Sequence, residues 1–223
     1  MMNNSRSILS FNLLALTAIL MLGTGPGHAA QLTVTLQSKQ GKAQPLDGAV
    51  IYAQPIGVQP PPATTTTVVS QKDLQFSPYI SIVQRGTRVD LPNLDSVGHH
   101  VYSFSEAKRF ELPLYRQQQP DPVVFDRSGL VVLGCNIHDW MVAYIVVVDT
   151  PYFSVFSEQH SQLQLPPGNY NVTIWHPRLN PKESTTMLID IKDADQQQVW
   201  RLQHRLTANR RPQEPDNFGE ASY

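Results

Sequence analysis

The sequence predicts an all-β protein, and three observations point to it. Apolar residues recur in short runs, alternating or continuous, each closed by Pro, Gly, Asn or Asp. Proline is frequent, 18 in 223 residues, while charged side chains make up only 16%. No stretch shows the apolar spacing of an amphipathic helix, no heptads run through the chain, and no internal repeat appears.

The elements follow in chain order. Arg6 precedes an apolar run over residues 8–22, broken only by Ser10, Asn12 and Thr17, and Gly27 and Ala29 then suit a cleavage site. Residues 1–29 are therefore expected to be a signal peptide, so that the mature chain begins near Ala30 or Gln31 in the periplasm. An uncleaved anchor is the alternative. No later segment is long and apolar enough to span a bilayer. Residues 31–36 alternate and read as a strand, residues 49–53 read as another, and the two are expected to pair as a hairpin. Residues 57–67, with Pro60, Pro61, Pro62 and four threonines, read as a stiff extended linker.

Short strands are expected next within residues 74–83 (interrupted at Pro78), 87–91, 99–104, 123–125, 130–133 and 142–148. The last of these is apolar enough to be buried on both faces. Beyond Asp149, residues 163–165 and 170–175 flank a Pro-Pro-Gly turn, and residues 187–191 and 198–206 suggest two more strands. Residues 207–223 are polar and read as a disordered tail.

Chemistry concentrates around the single cysteine, Cys135. A lone thiol exported to an oxidising compartment invites oxidation or intermolecular pairing unless something occupies the sulfur, and a metal is the simplest occupant. Cys135 opens the segment CNIHDWM, which brings His138 and Met141 within one short loop between two apolar runs, and His99 and His100 lie upstream. Cu(I) favours soft sulfur and Cu(II) accepts imidazole, so two histidines, one thiolate and a weak thioether suit a redox copper ion. The alternatives are a buried free cysteine with incidental neighbours, a zinc site, and a catalytic Cys–His dyad. Zinc gains little from thioether. A dyad needs an activated thiolate, and no Lys or Arg lies near Cys135 in the sequence. Asp139 reads as a solvated loop carboxylate or a group tuning the metal, and Trp140 as a packed aromatic or a docking surface. His160, His176 and His204 show no ligand spacing.

Residues 68–149 resemble a cupredoxin, of the plastocyanin and amicyanin type and the proteins labelled methylamine utilisation protein. The likeness lies in Phe76-Ser-Pro78, Gly86, Asn93-Leu-Asp95, His99-His-Val101 and the loop from Cys135 to Met141. It implies a Greek-key β-sandwich with one type 1 copper, and His99, Cys135, His138 and Met141 as metal ligands. The upstream ligand of that family opens a His-Asn-Val-like triplet, which favours His99 over His100. Ser103 departs from the pattern, because strand alternation places it on the face of His99, where a large residue is usual.

Residues 32–55 and 163–177, with Pro45-Leu-Asp-Gly-Ala49 and Leu165-Pro-Pro-Gly-Asn-Tyr170, resemble carboxypeptidase-regulatory-like sandwiches. The expected organisation is such a sandwich from residues 30–56 plus 150–206, discontinuous, with the cupredoxin inserted into it or adjacent to it. The cupredoxin resemblance implies a periplasmic carrier of one electron between redox partner proteins. A copper-delivery protein or an accessory subunit of a redox complex is the alternative. Neither an enzyme nor a nucleic-acid partner is expected, since no second histidine cluster exists and 17 Lys and Arg balance 18 Asp and Glu.

Overall fold

The computed structural model describes residues 29–183 and 185–208. The reading of residues 1–28 as signal peptide, and of residues 209–223 as tail, lies outside the described residues. Those described hold 17 strands and no helix, so the protein is all-β. None of their segments is a helix long and apolar enough to cross a membrane. The strands are β1 Ala30–Gln37, β2 Val50–Pro55, β3 Thr66–Val68, β4 Ser70–Lys72, β5 Gln75–Ser77, β6 Ile80–Gln84, β7 Arg88–Asp90, β8 Val101–Ser105 and β9 Lys108–Glu111. After them come β10 Val123–Val124, β11 Gly129–Cys135, β12 Val142–Val148, β13 Phe153–Val155, β14 His160–Leu165, β15 Gly168–Trp175, β16 Thr186–Ile191 and β17 Gln196–Arg201.

Two sheets, ordered β14-β1-β17 and β13-β2-β15-β16, enclose one core. The alternation of β1 places Leu32, Val34 and Leu36 there, fully buried, against Ile51, Ala53, Val172 and Ile174. The hairpin expected of residues 31–36 with 49–53 does not form. β1 pairs antiparallel with β14 and parallel with β17, while β2 pairs with β13 and β15. The physical reason is that both strands direct apolar faces into the same core. They therefore belong on opposite sheets of a sandwich rather than side by side.

A five-stranded sheet, β6-β12-β11-β8-β9, and a three-stranded sheet, β10-β7-β3, enclose a second core, with the hairpin β4-β5 beside it. β12 lies inside the five-stranded sheet between β6 and β11, and from Ile145 to Val148 both its faces are covered. Its outer face meets the other sandwich through Val50, Ile80, Val146 and Val148, with Tyr52, Tyr144 and Trp175 packed around them.

Residues 57–67 are not a free linker. Ala63 N donates to Arg85 O, and Gln84 Nε2 donates to Pro61 O. Thr66 and Thr67 already belong to β3. Gly86 makes this close approach possible: a Cβ there would lie 2.5 Å from Ala63 O, and its φ of +97° suits glycine. Arg85 also pairs with Asp149, so the Ala63 backbone and the Asp149 carboxylate both meet at Arg85. The last strand stops at Arg201 rather than 206, and Thr207 is tied down, its N donating to Arg178 O.

Candidate metal centre

The β11–β12 connection and the approach to β8 build the site. Cys135 ends β11, one face of which is buried, so its side chain faces the core and is 3% exposed. The loop back to β12 is closed by its own backbone: Met141 N donates to His138 O at 2.9 Å, and Cys135 N donates to Met141 O at 3.3 Å. His99 precedes β8 and is locked by a two-way bridge with Tyr115, its N donating to Tyr115 O at 3.0 Å and accepting in return at its carbonyl at 3.1 Å.

These elements bring three donors together. Cys135 Sγ lies 3.8 Å from His99 Nδ1 and 3.7 Å from His138 Nδ1, and the three ligand atoms lie within 4.8 Å of one another. Met141 is buried in the same core, 1% exposed. The His99 and His138 rings meet edge to face with centroids 5.0 Å apart. His99 is fully buried, whereas His138 is half-buried and Ile137 beside it is exposed.

His100 points elsewhere. Its Nε2 lies 2.8 Å from Glu111 Oε1, and its Nδ1 faces the Asn136 amide at 3.5 Å. Asp139 is exposed. Trp140 is half-buried, donates from Nε1 to Leu74 O, and sets its ring at a tilt of 60° to that of His138 with centroids 5.3 Å apart. Ser103 is indeed inside, fully buried, with its Oγ accepting from Ser105 N, while Phe104 is 71% exposed on the outer face. Tyr102 covers Gly134 from the neighbouring strand, and a Cβ on Gly134 would lie 2.8 Å from the Tyr102 ring. His160 and His204 are exposed, and His176 is buried in the region of the other sandwich.

Sequence reasoning missed a layer of supporting residues. Asp95 Oδ2 accepts from His99 Nε2 at 2.8 Å, which leaves Nδ1 as the nitrogen free for the site. The Asp95 carboxylate is itself held by the backbone N–H groups of Asp73 and Leu74. Those two residues are the turn between β4 and β5, with φ of 54° and 56°, the conformation that a tight hairpin with right-handed twist requires. Leu74 carries this unfavoured φ without being glycine, and the turn amides serve the site. Asn93, 2% exposed, donates to Val97 O and Tyr115 O and accepts from Asp95 N, so it pins the loop before His99. The Tyr115 hydroxyl donates toward Leu91 O and toward Oε1 of Gln71, which is fully buried. The sequence singled out Asn93 and Asp95 within one segment without giving either a role, and it held no signal for Gln71 or Tyr115.

The electrostatics follow from this packing. Burial pushes the Cys135 thiol up, but the His99 hydrogen bond and the backbone N–H groups of His100, Ile137 and His138 outweigh it and hold the thiol down at about 6. This corrects the expectation drawn from the lack of nearby Lys or Arg: the activating groups come from the fold. Burial pushes His99 down, yet Cys135 and Asp95 together raise it above the ordinary value. Burial likewise disfavours the charged Asp95, but its hydrogen bonds from His99, Leu74 and Asp73 leave it below the usual carboxylate range. A thiolate-ready sulfur between two imidazole nitrogens, one anchored by a carboxylate, is a donor set suited to a soft or borderline transition metal.

No protein-family model matches the sequence, and a search of curated proteins finds no match. Among solved structures, a reduced amicyanin variant is similar, with a TM-score of 0.35 and 20% identity over 45% of this chain and 99% of that one. A purple cupredoxin from Nitrosopumilus maritimus gives a TM-score of 0.32 and 23% identity over 37% of this chain and 98% of that one. A copper-containing nitrite reductase from Thermus scotoductus SA-01 gives a TM-score of 0.36 and 22% identity over 44% of this chain but only 26% of that one.

Proposed function

We propose that this chain is an exported, periplasmic copper protein of the cupredoxin type that passes one electron between redox partner proteins. Its single type 1 copper would be held by His99, Cys135 and His138, with Met141 as a weak fourth donor. The observation that carries this reading is the approach of two imidazole Nδ1 atoms to one buried sulfur, 3.8 and 3.7 Å away. Copper bound there would supply a one-electron couple.

The chain's own residues supply the rest. Asp95 orients His99 by accepting a hydrogen bond from its Nε2, and the turn at Asp73 and Leu74 orients Asp95. The Cys135–Met141 and Met141–His138 backbone bonds hold the loop, so the donors keep their places whichever charge the site carries. His138, half-buried beside exposed Ile137, marks the end of the sandwich that a partner would approach. We read residues 68–149 as the copper-binding sandwich, inserted in a second sandwich of residues 30–56 and 150–206 that serves as a structural or docking module.

Copper delivery fits less well, because Cys135 and Met141 are 3% and 1% exposed and an accepting protein could not reach them without opening the core. Voltammetry of the copper-loaded protein tests the reading. A reversible one-electron wave, with Cu(I) retained against a competing chelator, is expected. Absence of a wave with ready loss of Cu(I) would favour delivery.

A further inference from the structure

The second sandwich ends in a hollow of about 590 Å³ lined by cationic side chains. Three segments form its walls: the turn after β1, the loop after β15 and the stretch after β17. Their backbones are tied to one another. Ser38 N donates to Lys42 O, Leu202 N to Gln37 O and Thr207 N to Arg178 O, and Arg178 Nε donates to Thr207 O. The hollow is therefore a built feature of the fold.

Its charge is one-sided. Lys39, Lys42, Arg178 and Arg205 line it, and none of the four forms an ion pair among the described residues. The acid of this neighbourhood, Glu183, is already engaged. Its side chain is 3% exposed and accepts from the backbone N–H groups of Gln203 and His204, with His204 Nδ1 at 3.3 Å. It braces the wall and, among the described residues, is not paired with any of the four cations.

We propose that this hollow binds a small, multiply charged oxyanion, with Lys39, Lys42, Arg178 and Arg205 as charge partners. Its volume lies in the range of small-ligand sites, and its concavity suits a compact ligand better than the broad face of a macromolecule. Guanidinium groups present paired N–H donors that match phosphate and carboxylate oxygens alike. Those two chemistries share the recognition and differ in geometry and charge.

The test is an amide NMR titration of the full chain with inorganic phosphate and, separately, with citrate. Saturable shifts confined to residues 38–44, 178 and 203–206 are expected. The anion that saturates first identifies phosphate or polycarboxylate as the preferred group. Lys42→Gln and Arg205→Gln, both at exposed positions, should each weaken binding about fivefold and leave the remaining amide spectrum unchanged, and added salt should weaken it further. Shifts scattered over the surface, no saturation with either anion, or affinity indifferent to both substitutions would overturn the proposal. So would binding to phosphatidylglycerol vesicles or to a Glu-rich peptide without any response to the free anions.

Discussion

Asp95→Ala removes the carboxylate on which His99 depends, and the structure sets the size of the effect. Asp95 accepts three hydrogen bonds, from His99 Nε2 and from the backbone N–H groups of Asp73 and Leu74. Water can replace it at Asp73, which is exposed. It cannot do so at His99, which is fully buried. A buried donor left without an acceptor costs about 1–3 kcal/mol, and the half-buried Leu74 amide adds part of another such loss. The expected fall in unfolding free energy is about 3 kcal/mol, read as a shift of the urea midpoint. Copper affinity should fall about 10- to 100-fold, the usual effect of losing the partner of a ligating histidine, read by chelator competition. Asp95→Asn keeps an oxygen for His99 and should recover a large part of both. If Asp95→Ala shifted stability by less than about 0.5 kcal/mol and left copper affinity unchanged, the reasoning about His99 would be wrong.

Three further outcomes follow from named contacts. His99→Ala should abolish copper binding while His100→Ala leaves it within about threefold by chelator competition, because His100 is held by Glu111 and faces away from Cys135. Tyr115→Phe leaves the amide oxygen of fully buried Gln71 without its donor and should lower stability by about 1–3 kcal/mol in urea unfolding. His176 is pushed down to about 4 by burial, with the Arg178 charge adding to it. Its unfolded form takes up a proton near 6.5 while the folded form resists until about 4. Stability should therefore drop by about 3 kcal/mol as pH falls through that window and level off below it. His176→Asn should flatten that part of the stability curve, and an unchanged slope would refute the assignment.

Much of the protein was legible in its sequence, and the parts that were not share a cause. The apolar run of β12 and the alternation of β1 and β15 announce strands, because period-two patterning is a local property. The CNIHDWM loop announces Cys135 and His138 as a pair of donors, because side chains three residues apart need only one turn to meet. Pairing partners are another matter. β1 finds β14 and β17 more than a hundred residues away, and nothing in residues 30–53 distinguishes that from a hairpin. Asp95, Asn93, Gln71 and Tyr115 are polar residues whose roles arise only when distant loops fold onto His99. The lowered thiol of Cys135 is likewise a property of the fold, since His99 lies 36 residues away in sequence. Thr66 and Thr67 looked like linker by composition, yet they are held as a strand by β7.

The most direct test of the central claim is the visible absorption spectrum of the protein reconstituted with Cu(II), measured beside Cys135→Ser. A thiolate bound to the ion between two imidazoles should give an intense charge-transfer band in the intact chain and none in the variant. A faint spectrum identical in both proteins would mean that the sulfur does not bind the metal, and the assignment of His99, Cys135 and His138 as a copper centre would fall.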